Sequence, residues 1–152
     1  MNRPVVKMLM AGGLGVLLIP PAVFLAVALG EGMGLGGAGA ALVAQYTASQ
    51  LNLLVCGALG LVPVLLVLLI LWVHRKVAPG SLARPALALG GLLPILLILV
   101  WANWDYWPRF LPSRTYPGFP HGLGLVIAPF FFAPIGGVVG MVVGWLVTRV
   151  QR

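Results

Sequence analysis

Acidic side chains are the scarcest feature of this sequence, because only Glu31 and Asp105 stand against nine lysines and arginines in 152 residues. So few charged groups cannot cover the surface of a water-soluble domain of this length. The two carboxylates lie in different polar segments, so the sequence predicts no carboxylate pair for general acid–base catalysis. No apolar run contains an acid, and a proton-coupled transporter would therefore lack its usual relay.

Cysteine is limited to Cys56, which excludes both a disulfide within the chain and a zinc site of CxxC type. The histidines, His74 and His121, are predicted on opposite sides of a membrane, which argues against a shared haem. We therefore predict no catalytic residue, no metal and no cofactor, and we expect a protein that is not an enzyme. The basic residues lie at the edges of apolar runs instead of in one cluster, so nucleic acid is not expected as a partner.

Hydrophobic residues make up 61% of the chain and the mean hydropathy is +1.11, which places the sequence among membrane proteins. Four apolar runs are long enough to cross a hydrocarbon core of roughly 30 Å. We predict an all-α fold with a single membrane domain over residues 1–152, a four-transmembrane-helix bundle whose helices are kinked at internal prolines. Its spans are expected at residues 5–29, 51–73, 85–104 and 123–147.

The first span has an alternative interpretation, because Ala26, Val27 and Ala28 resemble the small-residue cleavage site of a secretory signal. Its apolar run of about 22 residues is long enough to cross a bilayer. We therefore expect this segment to be retained as a span.

The basic residues that flank the runs predict the orientation. With the N-terminus in the cytoplasm, residues 30–50 and 105–122 form outer loops and residues 74–84 form an inner loop. Seven basic residues then lie inside and only Arg109 and Arg114 lie outside, as the positive-inside rule favours. The excess of arginine over lysine suggests a bacterial source. Both termini are thus expected on the cytoplasmic side of a bacterial inner membrane.

The first outer loop opens with a glycine-rich connector. Its Gly32, Gly34 and Gly37 match the dinucleotide-binding pattern GxGxxG by letter, but no strand precedes them and no acidic residue follows at the required distance. We interpret the connector as a flexible link or a tight turn. The polar residues that follow, within 38–50, are expected to lie at the membrane interface.

Small and polar residues recur at helical spacing before and within the second span. On one continuous helix they would share a face. Such a stripe favours packing against another helix, with Asn52, Cys56 and Gly60 as contact residues. The alternative is that Gln45 and Asn52 line a polar cavity or pore. The stripe consists of Gln45, Ser49, Asn52, Cys56 and Gly60.

The longest polar interruption, residues 101–122, combines aromatic residues with four prolines. Trp101, Trp104 and Trp107 recur every three residues and would share one helical face, which is typical of an aromatic belt at the lipid headgroups. The alternative is a stiff docking surface for a protein or a lipid headgroup, because tryptophan, tyrosine and arginine dominate interface energetics. The spacing allows an Asp105–Arg109 ion pair, although Pro108 weighs against the helix that the pair requires. The predicted partner-binding residues are Trp104, Asp105, Trp107, Arg109, Arg114 and His121.

The last span carries a run of regularly spaced glycines. Gly136, Gly140 and Gly144 form GxxxGxxxG, which leaves a groove along one helix face and favours close helix packing. Packing within the bundle and packing against a partner are both open, and a glycine-lined pore is a less favoured third alternative.

These features together predict a non-enzymatic membrane protein that binds a membrane or periplasmic partner. It would be an accessory or assembly subunit of a membrane complex, or an immunity protein that blocks a toxin. The alternative is a homo-oligomeric channel or small transporter lined by Gln45, Asn52 and the glycines of the last span. A third hypothesis is a lipid- or quinone-binding protein that uses Asp105, Arg109 and His121 at headgroup level.

Overall fold

The computed structural model describes residues 3–47, 51–73, 83–111 and 122–150, and all regular structure within these ranges is helical. The prediction of an all-α chain with four long apolar helices is confirmed. A 3₁₀ turn over Trp107–Phe110 follows the fourth helix, and a π-helical segment over Ala128–Phe132 joins the last two. The α-helices are α1 Arg3–Gly30, α2 Leu35–Gln45, α3 Leu53–Val73, α4 Ala83–Tyr106, α5 Gly122–Ile127 and α6 Ala133–Val150.

Four helical stretches are long and apolar enough to cross a bilayer, and they give the chain the form of a multi-pass membrane protein. The 11-residue α2 would reach only about 17 Å and is too short to cross. The kinks predicted at the internal prolines stay a prediction, since α1 is one helix through Pro20 and Pro21. The four stretches are Arg3–Gly30, Leu53–Val73, Arg84–Phe110 and Gly122–Val150.

Contacts near the helix ends establish which ends lie together. Phe24, near the end of α1, packs on Trp107, just after α4, and the Tyr106 hydroxyl donates to the Leu51 carbonyl before α3. Gly122, where α5 begins, lies beside Leu51 and Tyr106. These segments form one end of the bundle, which we call the cleft end.

The opposite end gathers the start of α1, the end of α3, the start of α4 and the end of α6. There Gly144 of α6 lies against Ala86 of α4, and Val6 of α1 lies beside Leu68 of α3. Because successive long helices run from one end to the other and back, the bundle has an up-and-down topology. We call this second end the basic end, since its helix termini carry Arg3, Lys7, Arg84 and Arg149.

Helices α4 and α6 approach so closely that their backbones are in contact. Gly140 lies so close to Gly90 that a Cβ on either residue would collide with the carbonyl group of the other. A Cβ on Gly144 would fall 2.5 Å from the carbonyl oxygen of Ala86, and one on Gly136 would fall 2.7 Å from Cδ1 of Ile98. The glycine groove of α6 is therefore filled by α4, and it packs within the bundle.

The chain does not form one helix through the small and polar stripe, so the condition under which its members would share one face is not met. Helix α2 ends at Gln45 and α3 begins only at Leu53. The break has a local cause, because Oδ1 of Asn52 accepts a hydrogen bond of 3.1 Å from the backbone N–H of Val55 and so caps a new helix. Ser49 lies outside the described residues.

Two members of the stripe, Cys56 and Gly60, pack inside the bundle. Cys56 is buried, and Gly60 lies opposite Val16 of α1 and Leu99 of α4, where a Cβ would approach Val16 to 2.6 Å. Small residues thus bring α1, α3 and α4 together at Gly60. Asn52, which is half-buried, caps α3, and its predicted role in helix packing stays a prediction.

Candidate functional site: an acidic and aromatic cleft

A cleft of about 400 Å³ opens at the cleft end, between the end of α1 and the end of α4. Both carboxylates of the chain line it, although Glu31 and Asp105 are 74 positions apart in the sequence. Its volume falls in the range of small-ligand sites, which is roughly 300–1,000 Å³. The cleft is lined by Ala26, Val27, Gly30, Glu31, Trp101, Trp104, Asp105 and Pro108.

A glycine turn places Glu31 at the cleft. The N–H of Met33 donates to the Ala28 carbonyl and the N–H of Gly32 donates to the Leu29 carbonyl, which is the Schellman arrangement at a helix C-terminus. Gly32 has a φ of 84°, a conformation that glycine adopts without the Cβ penalty of other residues. The turn ends α1 at Gly30 and holds Glu31, the next residue, beside α4.

Helical spacing places the other polar residues of the cleft. Trp104 and Asp105 lie three and four residues after Trp101 on α4, so the three side chains emerge on neighbouring parts of its surface. The two indoles are 63% and 54% exposed. Large aromatic surfaces and carboxylates therefore share one opening at a helix end.

An ion pair joins Asp105 to Arg109 at the rim of the cleft, with 3.2 Å between Oδ2 and the guanidinium. The sequence left this pair open because of Pro108. The proline falls within the first residues of the 3₁₀ turn, where its missing N–H breaks no hydrogen bond of the preceding helix. The chain therefore stays helical enough for the (i, i+4) contact. Asp105 is 65% exposed and Arg109 is 16% exposed.

A cluster of packed rings lies next to the cleft-lining residues Asp105 and Pro108, and we call it the aromatic cluster. Trp107 lies at its centre and is completely buried, with centroid distances of 5.8 Å to Phe24 and 4.9 Å to Tyr106 in edge-to-face geometry. Phe110 completes it at 5.8 Å from Trp107. Such pairs contribute about 0.5–1.5 kcal/mol each beyond the area they bury.

Hydrogen bonds within α4 and its 3₁₀ turn fix the direction of Trp107. Its indole N–H donates to Oδ1 of Asn103 at 2.8 Å, and the Asn103 amide donates to the Leu99 carbonyl at 2.8 Å. Asn103 is the only buried polar residue in the described part of the chain. A buried indole N–H needs such an acceptor, so Asn103 directs Trp107 inward.

The structure separates the residues that the sequence grouped as partner-binding. Trp104 and Asp105 are exposed and Arg109 stands at the rim, but Trp107 faces the core, so the prediction that it shares a face with the other tryptophans is wrong. There are two causes. Residues three positions apart on an α-helix point in somewhat different directions around the helix axis, and the backbone changes to a 3₁₀ turn at Trp107. Arg114 and His121 lie outside the described residues.

The chemistry of the cleft suits a cation with apolar character. Carboxylates bind ammonium groups through charge-assisted hydrogen bonds, and tryptophan faces attract cations through their quadrupole. Within the described ranges no group of three or more histidine, cysteine or acidic residues is placed to hold a metal ion. Chemically, the arrangement of carboxylates and indoles is able to accept an organic cation.

Sequence reasoning missed the meeting of Glu31 with Asp105 and the inward role of Asn103. The available signals were weak. A glycine directly after an acidic residue at the end of an apolar run fits a helix C-terminus, and an asparagine four residues before a tryptophan fits a hydrogen-bonded pair. Neither pattern reports which helix ends are neighbours.

No protein-family model, curated protein or solved structure matches the chain. Function must therefore be inferred from the chemistry of the site.

Proposed function

We propose that this chain is a non-enzymatic integral membrane protein that acts by binding a membrane or periplasmic protein through its cleft end. It would serve as an accessory or assembly subunit of a membrane complex, or as an immunity protein that blocks a toxin. The observation that carries the proposal is the exposure of Trp101, Trp104 and Asp105 on a helix end that the buried aromatic cluster holds in place. Aromatic anchors on a rigid support are typical of protein-binding surfaces.

The α6 glycines no longer support this proposal, because Gly140 and Gly144 are packed against α4. The binding surface is accordingly restricted to the cleft end, where Trp104, Asp105 and Arg109 are the described residues of the predicted set.

The channel alternative finds no support in the described residues. Asn103 is their only buried polar residue, and its amide and carbonyl groups are both used within α4 and its 3₁₀ turn. A path for ions or polar solutes through the bundle would need further polar groups.

We also propose an orientation of the bundle in the membrane, based on how its charged residues are distributed between the two ends. Among the described residues, four basic ones occupy the basic end, whereas the cleft end carries both acids and Arg109. This distribution and the positive-inside rule favour an orientation with the basic end in the cytoplasm and the cleft outside, and the membrane that we propose is a bacterial inner membrane.

Single-cysteine labelling tests the orientation. In a Cys56→Ala background, Leu35→Cys of α2 should react with a membrane-impermeant maleimide added to spheroplasts, because Leu35 is highly exposed at the cleft end. Val150→Cys, at the basic end, should react only after the membrane is permeabilised. The reverse labelling pattern would contradict the proposed orientation.

Affinity purification of the tagged, full-length chain from its native membrane in mild detergent tests the function. We expect a stoichiometric partner that mass spectrometry identifies and that Trp104→Ala/Asp105→Lys loses. Trp72→Ala is the matched control, since Trp72 is 55% exposed and lies on α3 toward the basic end, whereas Trp104 is 54% exposed. Recovery of the chain alone, or equal partner recovery with both variants, would refute the proposal. Cross-linking into a defined homo-oligomer would then favour the channel.

A further inference from the structure

An exposed apolar ridge runs along α4 and ends at the cleft. Leu89, Leu93 and Leu97 follow at four-residue intervals, are all more than half exposed, and lead to Trp101 and then Asp105. In a membrane these leucines face acyl chains. A lipid molecule can therefore lie along α4 with its headgroup at the cleft.

The cleft lies where headgroups are found. It occupies the end of two spanning helices, and its exposed indoles are the residues that favour the interface between hydrocarbon and water. A soluble ligand would not need an apolar ridge that continues from the cleft into the bilayer. The ridge thus favours a ligand that already belongs to the membrane.

The acids and indoles of the cleft match the ammonium group of a lipid headgroup. Glu31 and Asp105 can accept hydrogen bonds from a primary ammonium, and the faces of Trp101 and Trp104 can stabilise its charge. Arg109 pairs with Oδ2 of Asp105 and is only 16% exposed, so it stands behind that carboxylate and leaves the opening to the two acids and the indoles. A hard metal ion is a poorer match, because it requires six or more oxygen ligands.

From this geometry we propose that the cleft is a binding site for the primary ammonium of an aminophospholipid headgroup, with Glu31 and Asp105 as acceptors. The acyl chains lie along the ridge Leu89, Leu93, Leu97. This site goes beyond the proposed partner-binding function. It does not depend on that function, because a lipid can bind the chain when no partner protein is present.

Native mass spectrometry of the full-length protein tests this site. The protein in detergent is titrated separately with phosphatidylethanolamine, phosphatidylglycerol and phosphatidylcholine that carry the same acyl chains. We expect phosphatidylethanolamine to bind roughly tenfold more tightly than phosphatidylglycerol, because only the former offers an ammonium to the carboxylates. Equal binding of these two lipids would overturn the proposal. Phosphatidylcholine binding as tightly would also overturn it, since a methylated ammonium donates no N–H hydrogen bond.

Variants connect the preference to the cleft. Glu31→Gln/Asp105→Asn should abolish the selectivity, whereas Lys7→Gln, which removes a charge at the basic end, should preserve it. Circular dichroism and gel filtration establish that the double variant is folded. If it does not fold, Trp104→Leu takes its place, with an expected loss of about two- to fivefold against Trp72→Leu as control. Selectivity that survives in a folded cleft variant would refute the site.

Competition with soluble phosphoethanolamine distinguishes a lipid from a free amine. We expect no displacement of the lipid at equimolar concentration, because the soluble compound lacks the chains that contact the ridge. Equal affinity for the soluble compound would overturn the lipid assignment. The two proposals can fail separately. If the cleft variants lose a partner protein but the wild-type chain shows no lipid selectivity, the partner proposal is supported and the lipid site is rejected.

Discussion

Two regions of the bundle are packed in opposite ways, one through glycine backbones and the other through large aromatic side chains. The contact of α4 with α6 is made by the absence of side chains at Gly90, Gly140 and Gly144, so that backbones touch. The aromatic cluster is closed by some of the largest side chains in the chain, with Trp107 fully enclosed. In lipid, which is as apolar as the side chains, both arrangements stabilise the fold through close packing instead of the removal of water.

The two regions also differ in how far their contacts reach along the sequence. The glycine contact repeats one spacing along two helices, whereas the aromatic cluster joins Phe24 to residues more than eighty positions later. A change in the cluster should therefore disturb the cleft above it, and a change in the glycine contact should separate α4 from α6.

The largest loss of stability is expected from Trp107→Ala. The substitution leaves a cavity among three rings, and truncations of buried aromatic residues cost about 3–5 kcal/mol in soluble proteins. Because the unfolded reference here is apolar as well, we expect about 3 kcal/mol. The measurement is the midpoint of an SDS titration followed by far-UV circular dichroism in mixed micelles.

Trp101→Ala is the matched control for this prediction. Trp101 is 63% exposed at the same helix end, so its removal should change stability by no more than about 0.5 kcal/mol. Similar midpoints for the two variants would mean that burial of Trp107 does not stabilise the bundle.

The next largest effect is expected from Gly140→Ala. The new methyl group would meet the Gly90 carbonyl, and since backbone cannot yield as a side chain does, the helices must move apart. Overpacking of this kind costs about 1–3 kcal/mol.

Gly124→Ala is the matched control, because Gly124 lies in α5 with open space around its Cβ position. That change should be neutral or slightly stabilising, by up to about 1 kcal/mol, through helix propensity alone. Loss of stability of the same size in both variants would contradict a specific role for the α4–α6 backbone contact.

The sequence was sufficient for the local patterns. Four apolar runs predicted four long helices, and the spacing of Gly136, Gly140 and Gly144 indicated a groove for a neighbouring helix. It could not specify which helix fills the groove, because Gly90 and Ala86 lie some fifty residues earlier and carry no charge or polarity that would identify them.

The cleft was harder to predict, because it depends on local geometry that composition does not report. Trp107 faces the core because the backbone forms a 3₁₀ turn there and Asn103 accepts its indole N–H. The three-residue spacing alone predicted that it would share a face with the exposed Trp101 and Trp104. Glu31 reaches the cleft because the turn at Gly32 ends α1 at Gly30, directly before it. A shift of that turn by one residue would have moved Glu31 away from Asp105.

The smallest effect on stability is expected from Asp105→Asn, although the residue is central to the proposed lipid site. Its pair with Arg109 is on an exposed carboxylate, where solvent screening and the entropy of two ordered side chains offset the attraction. We expect a change of at most about 1 kcal/mol in the SDS titration. Arg109→Gln, which breaks the same pair from the other side, should give a similar value. A loss comparable to that of Trp107→Ala would instead mean that the ion pair holds the 3₁₀ turn closed, and that the cleft surface and the aromatic cluster form one cooperative unit.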